Sequence, residues 1–199
     1  RKNKNISSKI INIKDINFKN NYLIKKIKFD LKKITSKKKF FHGTKIMGIL
    51  NMTPDSFSDG GKFNQFNKAL KKISNMIQSG ADIIDIGGES TRPGSKTILP
   101  NKEWARISSV IKIFKKKNPK IMLSVDTRKS EIIENSIRYG ADIINDVSSF
   151  NYDPKSLEKI KNKNIWKVIN HMQGTPATMQ VNPKYKNVLL DIYDFFENK

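Results

Sequence analysis

The sequence predicts an α/β fold of the (β/α)8 barrel type, of which these residues carry five βα units. Three observations lead there. From Lys45 onward, short apolar runs alternate with amphipathic stretches of helical length. The unit Gly80-Ala81-Asp82-Ile83-Ile84 returns as Gly140-Ala141-Asp142-Ile143-Ile144, a repeated helix end, tight turn and β-branched strand. Each apolar run also ends in polar residues or glycine. Alternating strands and helices with short connections imply a parallel sheet. Five units in about 155 residues extrapolate to ~250 residues for eight, the usual size of such a barrel. A doubly wound open sheet is the alternative, weakened in its dinucleotide-binding form because no G-x-G-x-x-G follows the first strand.

Residues 1–40, rich in Lys, Asn and Ile, read as a basic lead-in. Apolar residues roughly alternate through Tyr22–Leu31, which predicts one or two short exposed strands there. Residues 41–199 form the barrel domain. Its first strand, Ile46–Leu50, is a fully buried type of run, stopped by the turn formers Thr53-Pro54-Asp55-Ser56 and Asp59-Gly60-Gly61. A helix over about 64–79 follows, ended by Gly80, then the strand Ile83–Ile86. Helix 101–117 leads to strand Ile121–Val125, and helix 129–139 to the short strand Ile143–Ile144. Helix 154–162 precedes strand Trp166–Ile169, and a last amphipathic helix covers about 185–197. Because the chain starts with Arg1 and stops after a fifth unit, strands six to eight are expected to be missing from a longer protein.

Composition narrows the function classes. With 37% apolar residues the chain can build a core. No window approaches the ~18 apolar residues of a membrane span, and the basic start lacks the apolar stretch of a secretory signal. A soluble cytoplasmic protein is expected. The absence of cysteine excludes disulfides and thiolate metal sites, and two histidines, His42 and His171, do not make a histidine-rich zinc centre. A net charge of +21 ordinarily suggests nucleic acid or a membrane surface. Here the lysines are scattered singly or in short runs among Asn and Ile without interleaved aromatics, so a solvated surface is expected, with no nucleic-acid or membrane partner.

The chemistry sits where the runs end. There stand Asn51, then Gly87-Gly88-Glu89-Ser90-Thr91-Arg92-Pro93-Gly94, then Asp126-Thr127-Arg128, then Asn145-Asp146, then Asn170-His171-Met172-Gln173-Gly174. In parallel α/β folds the carboxyl ends of strands form the ligand face. Amides and carboxylates in an enclosed site suit a flat heterocycle with N–H donors and ring acceptors. Glycines with Thr91 and Arg92 suit phosphate. Asn51, Asp55 and Asp59 offer hard oxygens to a Mg2+ that neutralises a diphosphate. Taken singly, Asp126 could instead cap a helix, Asp55 and Asp59 could serve only turns, Asp146 could serve its loop, Glu89 could brace a strand end, and His171 reads better as structural than as a base.

The runs Asn51-Met52-Thr53-Pro54-Asp55-Ser56-Phe57-Ser58-Asp59-Gly60-Gly61 and Asp85-Ile86-Gly87-Gly88-Glu89-Ser90-Thr91-Arg92-Pro93-Gly94 resemble the two signature segments of dihydropteroate synthases. Ser124-Val125-Asp126-Thr127, Ile144-Asn145-Asp146-Val147 and His171-Met172-Gln173-Gly174 resemble that family's third, fourth and fifth strand ends. The resemblance covers residues 45–199 and implies a (β/α)8 barrel of folate biosynthesis. Such enzymes condense 6-hydroxymethyl-7,8-dihydropterin diphosphate with 4-aminobenzoate to 7,8-dihydropteroate, releasing diphosphate with Mg2+ assisting. It also implies that Asp126 and Asn145 hold the pterin and that Asn51 lies at the metal and diphosphate. Thr91 and Arg92 would meet diphosphate oxygens, and the loop of Phe57 and Asp59, with Arg92 and Pro93, would close over 4-aminobenzoate. A homodimer is implied for the full-length protein.

The sequence departs from that family at two places. The family's strand-six Asp segment, strand-seven Ser-Arg-Lys-Ser-type segment and strand-eight Arg-x-His have no counterpart, so residues 1–199 alone are expected to show little or no turnover. Position 170 is Asn where the family often has an apolar residue. Two other readings compete. A pterin-binding methyltransferase domain would use similar Asp and Asn residues but has no need of the Thr53–Gly61 loop. An inactive basic fragment holding nucleic acid or a partner chain would show steep salt dependence.

Overall fold

The computed structural model describes residues 43–53, 62–91 and 95–199, together with Lys25 and Phe29. The chain divides into two units, Arg1–Thr44 and Lys45–Lys199. In the first, Lys25 and Phe29 are helical, which corrects the expected exposed strand at those positions. The reason is visible in the sequence: Leu23, Ile27 and Leu31 also recur every four residues, and a short apolar pattern fits either period. The rest of that stretch lies outside the described residues.

The second unit alternates strand and helix: β1 (Met47–Asn51), α1 (Lys62–Gln78), β2 (Ile83–Gly87), α2 (Pro100–Lys117), β3 (Met122–Asp126), α3 (Ser130–Arg138), β4 (Ile143–Asp146), α4 (Ser156–Ile160), β5 (Trp166–Ile169) and α5 (Val188–Glu197). All neighbouring strands pair in parallel, in the order β1-β2-β3-β4-β5. A doubly wound sheet reverses its order at a switch point. The unbroken sequential order is that of consecutive units in a (β/α)8 barrel.

One face of the sheet carries the core. Leu50, Ile84, Ile86, Leu123, Val125 and Ile144 are fully buried there, against Ala69 and Ile73 of α1, Ile107, Ile111 and Phe114 of α2, and Ile132 and Ile133 of α3. Those helical positions repeat at three and four, one stripe of an amphipathic helix. Gly48 on β1 faces the same layer, since a Cβ there would stand 2.7 Å from Met76 Sδ of α1. By strand alternation, Met47, Ile49 and Asn51 point to the opposite face. Ile49 and Val168 on that second face are 58% and 38% exposed.

The repeated Gly-Ala-Asp unit is a repeated structure. Gly80 and Gly140 both take positive φ, and the bonds Gly80 N–H to Ile77 O, Ala81 N–H to Met76 O, Gly140 N–H to Ile137 O and Ala141 N–H to Ser136 O close α1 and α3 identically. The aspartates then clasp the adjacent strand. Asp82 Oδ2 accepts from Ile46 N–H at 3.0 Å and Asp82 N–H donates to Ile46 O. Asp142 Oδ2 accepts from Leu123 N–H at 2.8 Å and Asp142 N–H donates to Leu123 O. Lys45 and Lys115 each add an ion pair at 2.9 Å.

Candidate functional site

The register places Asn51, Gly87, Asp126 and Asn145 in one row across four adjacent strands, at their carboxyl ends. Asn51, Asp126 and Asn145 are half-buried. A Cβ on Gly87 would stand 3.4 Å from Asp126 Oδ2 and 3.6 Å from Asn51 Oδ1, so these two side chains flank the glycine on the same face. The absent side chain leaves a slot between an amide and a carboxyl group. One layer deeper, Asp85 Oδ2 accepts from Asn145 Nδ2 at 3.2 Å.

Electrostatics mark this face. Burial, then the neighbouring carboxylates of Asp85, Glu103, Asp146 and Glu89, push Asp126 from 3.8 up to about 8. Burial raises Asp85 as well, partly offset by Ser124 and Asn145. Asp146 is raised by burial and held back by Ser148 and Phe150. It serves its loop: it accepts from Ser148 N–H, Ser148 Oγ–H and Phe150 N–H, beside the left-handed Ser149 and Phe150. Asp126 is the last residue of β3, while Lys129 stands at the N-cap position of α3, so Asp126 is not a helix cap.

Behind the rim lies a buried ion cluster on the β2–α2 loop. Glu89 Oε2 accepts from Arg128 Nε and Glu89 Oε1 from Lys129 Nζ, both at 2.8 Å. Lys129 also pairs with Glu103, whose other oxygen accepts from Thr127 Oγ–H at 2.6 Å. Burial works to raise Glu89, yet hydrogen bonds from Arg128, Lys129 and Ile98 outweigh it and lower its pKa. Glu89 Oε1 accepts from Ile98 N–H, Arg128 Nη2 donates to Thr97 Oγ1, and Arg106 Nη1 donates to Gly88 O. Both ends of the loop carrying Thr91 are thereby tied to α2, the β3–α3 connection and the start of α3. Thr91 is half-buried; Arg92, Pro93, Phe57 and Asp59, with Asp55, lie outside the described residues. His171 packs edge-on against Phe195 at 4.9 Å and beside Tyr185.

Sequence reasoning missed Asp85, Ser124, Glu103 and Lys129. Two of these carried a signal. Asp85 interrupts an apolar strand, and Glu103 lies four residues before Ile107 on the buried stripe of α2; charged residues at such positions are buried only when paired.

A family described as pterin binding enzyme matches residues 47–199. This chain belongs to the pterin-binding enzymes. Among pterin-binding enzymes, the dihydropteroate synthase of Escherichia coli K12 is 44% identical over 151 residues, 76% of this chain and 53% of the relative. That of Haemophilus influenzae is 41% identical over 154 residues, 77% and 55% of the two chains. The solved dihydropteroate synthase of Yersinia pestis, in complex with a sulfonamide drug, matches with a TM-score of 0.71 and 42% identity, covering 77% of this chain and 55% of that one. The Burkholderia cenocepacia enzyme complexed with 7,8-dihydropteroate gives 0.67 at 36% identity, covering 79% and 52%. The chain thus spans about half the length of the curated relatives it matches. The fold of these pterin-binding enzymes is the barrel to which the five sequential units belong.

Proposed function

We propose that the chain forms the pterin-binding portion of a transferase of folate biosynthesis that makes 7,8-dihydropteroate. The observation that carries this reading is the Asn51–Gly87–Asp126–Asn145 row, an open slot edged by amides and a carboxyl group. Support comes from relatives named dihydropteroate synthase and from solved relatives holding 4-aminobenzoic acid or 7,8-dihydropteroate.

In the reaction, the C–O bond between the pterin methylene and diphosphate breaks, the amine of 4-aminobenzoate forms the C–N bond, and its proton passes to solvent. An electron-rich dihydropterin stabilises positive charge at that carbon, so the protein has to place the two partners and stabilise the departing charge. Asp126 and Asn145 hold the ring edge, with Asp126 as donor or acceptor according to its proton. By the resemblance of their runs, Thr91 and Arg92 would meet the diphosphate oxygens, and Phe57, Asp59 and Pro93 would serve 4-aminobenzoate.

Asn51 is the residue that would hold Mg2+. Among the described residues no group of three or more His, Asp or Glu forms a metal cage. A single hard amide oxygen still fits Mg2+, which takes one or two protein oxygens and completes its shell with waters and substrate phosphates. When bound, the ion supplies charge neutralisation at the diphosphate. The test is calorimetric titration with 6-hydroxymethyl-7,8-dihydropterin diphosphate and Mg2+. Saturable binding, weakened tenfold or more by Asp126→Ala, is expected; absence of saturable binding refutes the proposal.

A further inference from the structure

Asp85 plays no part in the row described above, yet it lies directly beneath it. Its neighbours along β2 are Ile84 and Ile86, and it is only 4% exposed. The residue beside it on β3 is Ser124, also buried. The Asp85–Asn145 hydrogen bond spans from β2 to β4, across the intervening strand. Strands two apart lie roughly 9.6 Å from one another, so side chains meet over the middle strand only where it carries a small residue. Ser124 is that residue. Among the described residues, Asp85 Oδ1 and Ser124 Oγ find no hydrogen-bond partner of ordinary geometry, although Ser124 is close enough to lower the Asp85 pKa. A buried carboxylate with an unsatisfied oxygen in a strand is costly and calls for a role.

An asparagine amide is nearly symmetric in shape, and only its hydrogen-bond partners decide which end points where. Asn145 Nδ2 donates to Asp85 Oδ2 at 3.2 Å, so the end of Asn145 that faces Asp85 is its NH2. From this geometry we infer that Asp85 is a positioning residue: it takes one N–H of Asn145 and turns the Asn145 amide oxygen toward the ligand at the rim. The flipped amide would set oxygen against oxygen and forfeit that hydrogen bond, so the outward amide oxygen is the favoured arrangement. A ring donor then meets an acceptor already in place. This deepens the proposed function and rests on it for the identity of the ligand.

The test has two arms, both on the chain of residues 1–199. In the first, 15N NMR follows the side-chain amide of Asn145 without ligand. One proton shifted downfield and slow to exchange is expected in the wild type and in Asp85→Asn, whose carbonyl oxygen still accepts. An Asn145 amide as labile in the wild type as an exposed asparagine overturns the inference, whether or not any variant folds. In the second arm, calorimetry compares affinity for pterin. Asp85→Leu is expected to lose tenfold or more, and Asp85→Asn to stay within about threefold of wild type. Unchanged affinity in Asp85→Leu overturns the inference. A protected amide in a chain that binds no pterin refutes the proposed function and leaves the orientation of Asn145 by Asp85 standing.

Discussion

Asp126→Asn is expected to stabilise the chain at high pH while abolishing pterin binding. Asp126 is half-buried and shares its surroundings with Asp85, Glu103, Asp146 and Glu89. Its folded pKa of about 8 stands far above the usual 3.8. The folded state therefore holds the proton more tightly than the unfolded chain. The contribution to stability is complete below pH 4 and is lost progressively until the pH passes about 8. At ~1.4 kcal/mol per pH unit the ceiling is roughly 6 kcal/mol, and partial solvent access at the strand end reduces this to about 2–3 kcal/mol. An uncharged isostere escapes that loss. In thermal unfolding followed by circular dichroism, wild type and Asp126→Asn are expected to melt together at pH 4. At pH 9 the variant is expected to melt about 5–10 °C higher. An equal gap at both pH values, or a variant that melts lower at pH 9, would refute the reasoning.

Lys129→Met leaves the Glu89 and Glu103 carboxylates buried without their shared cation. A loss of roughly 3–5 kcal/mol in denaturant unfolding is expected, partly restored by adding Glu103→Gln, because a broken buried pair costs more than an absent one. Gly87→Ala and Gly88→Ala should separate function from folding. At Gly87 the new methyl meets only ordinary contacts at 3.4–3.6 Å, so the melting temperature should hold while calorimetric affinity for the dihydropterin diphosphate falls more than tenfold. At Gly88 it meets Glu103 O at 2.9 Å, a backbone atom, and a loss of about 1–3 kcal/mol with weakened loop anchoring is expected in the same melts.

The place of Asn51, Asp126 and Asn145 at strand ends was legible because each follows a β-branched or apolar run. The limits of those strands were less legible. β1 runs on to Asn51, β3 to Asp126 and β4 to Asp146, each extended by polar residues because the adjacent strand supplies ladder partners. α4 covers only Ser156–Ile160, half of the expected 154–162, and α5 begins at Val188, where Asn187 accepts from Leu190 N–H. The ion cluster stayed hidden for another reason. Glu89, Glu103 and Lys129 are separated by 14 and 26 residues, and nothing local in the sequence records that three chain segments converge.

The paired Asp82 and Asp142 clasps sit toward the amino ends of the strands, five and three residues, or about 17 and 10 Å, from the rim. A strand that slipped by one residue would have to break a clasp and would turn its rim side chain to the wrong face. The register of Asn51 with Gly87, and of Asp126 with Asn145, is thus held from afar. The rim is left free to change its chemistry while the footing beneath it keeps the strands in step.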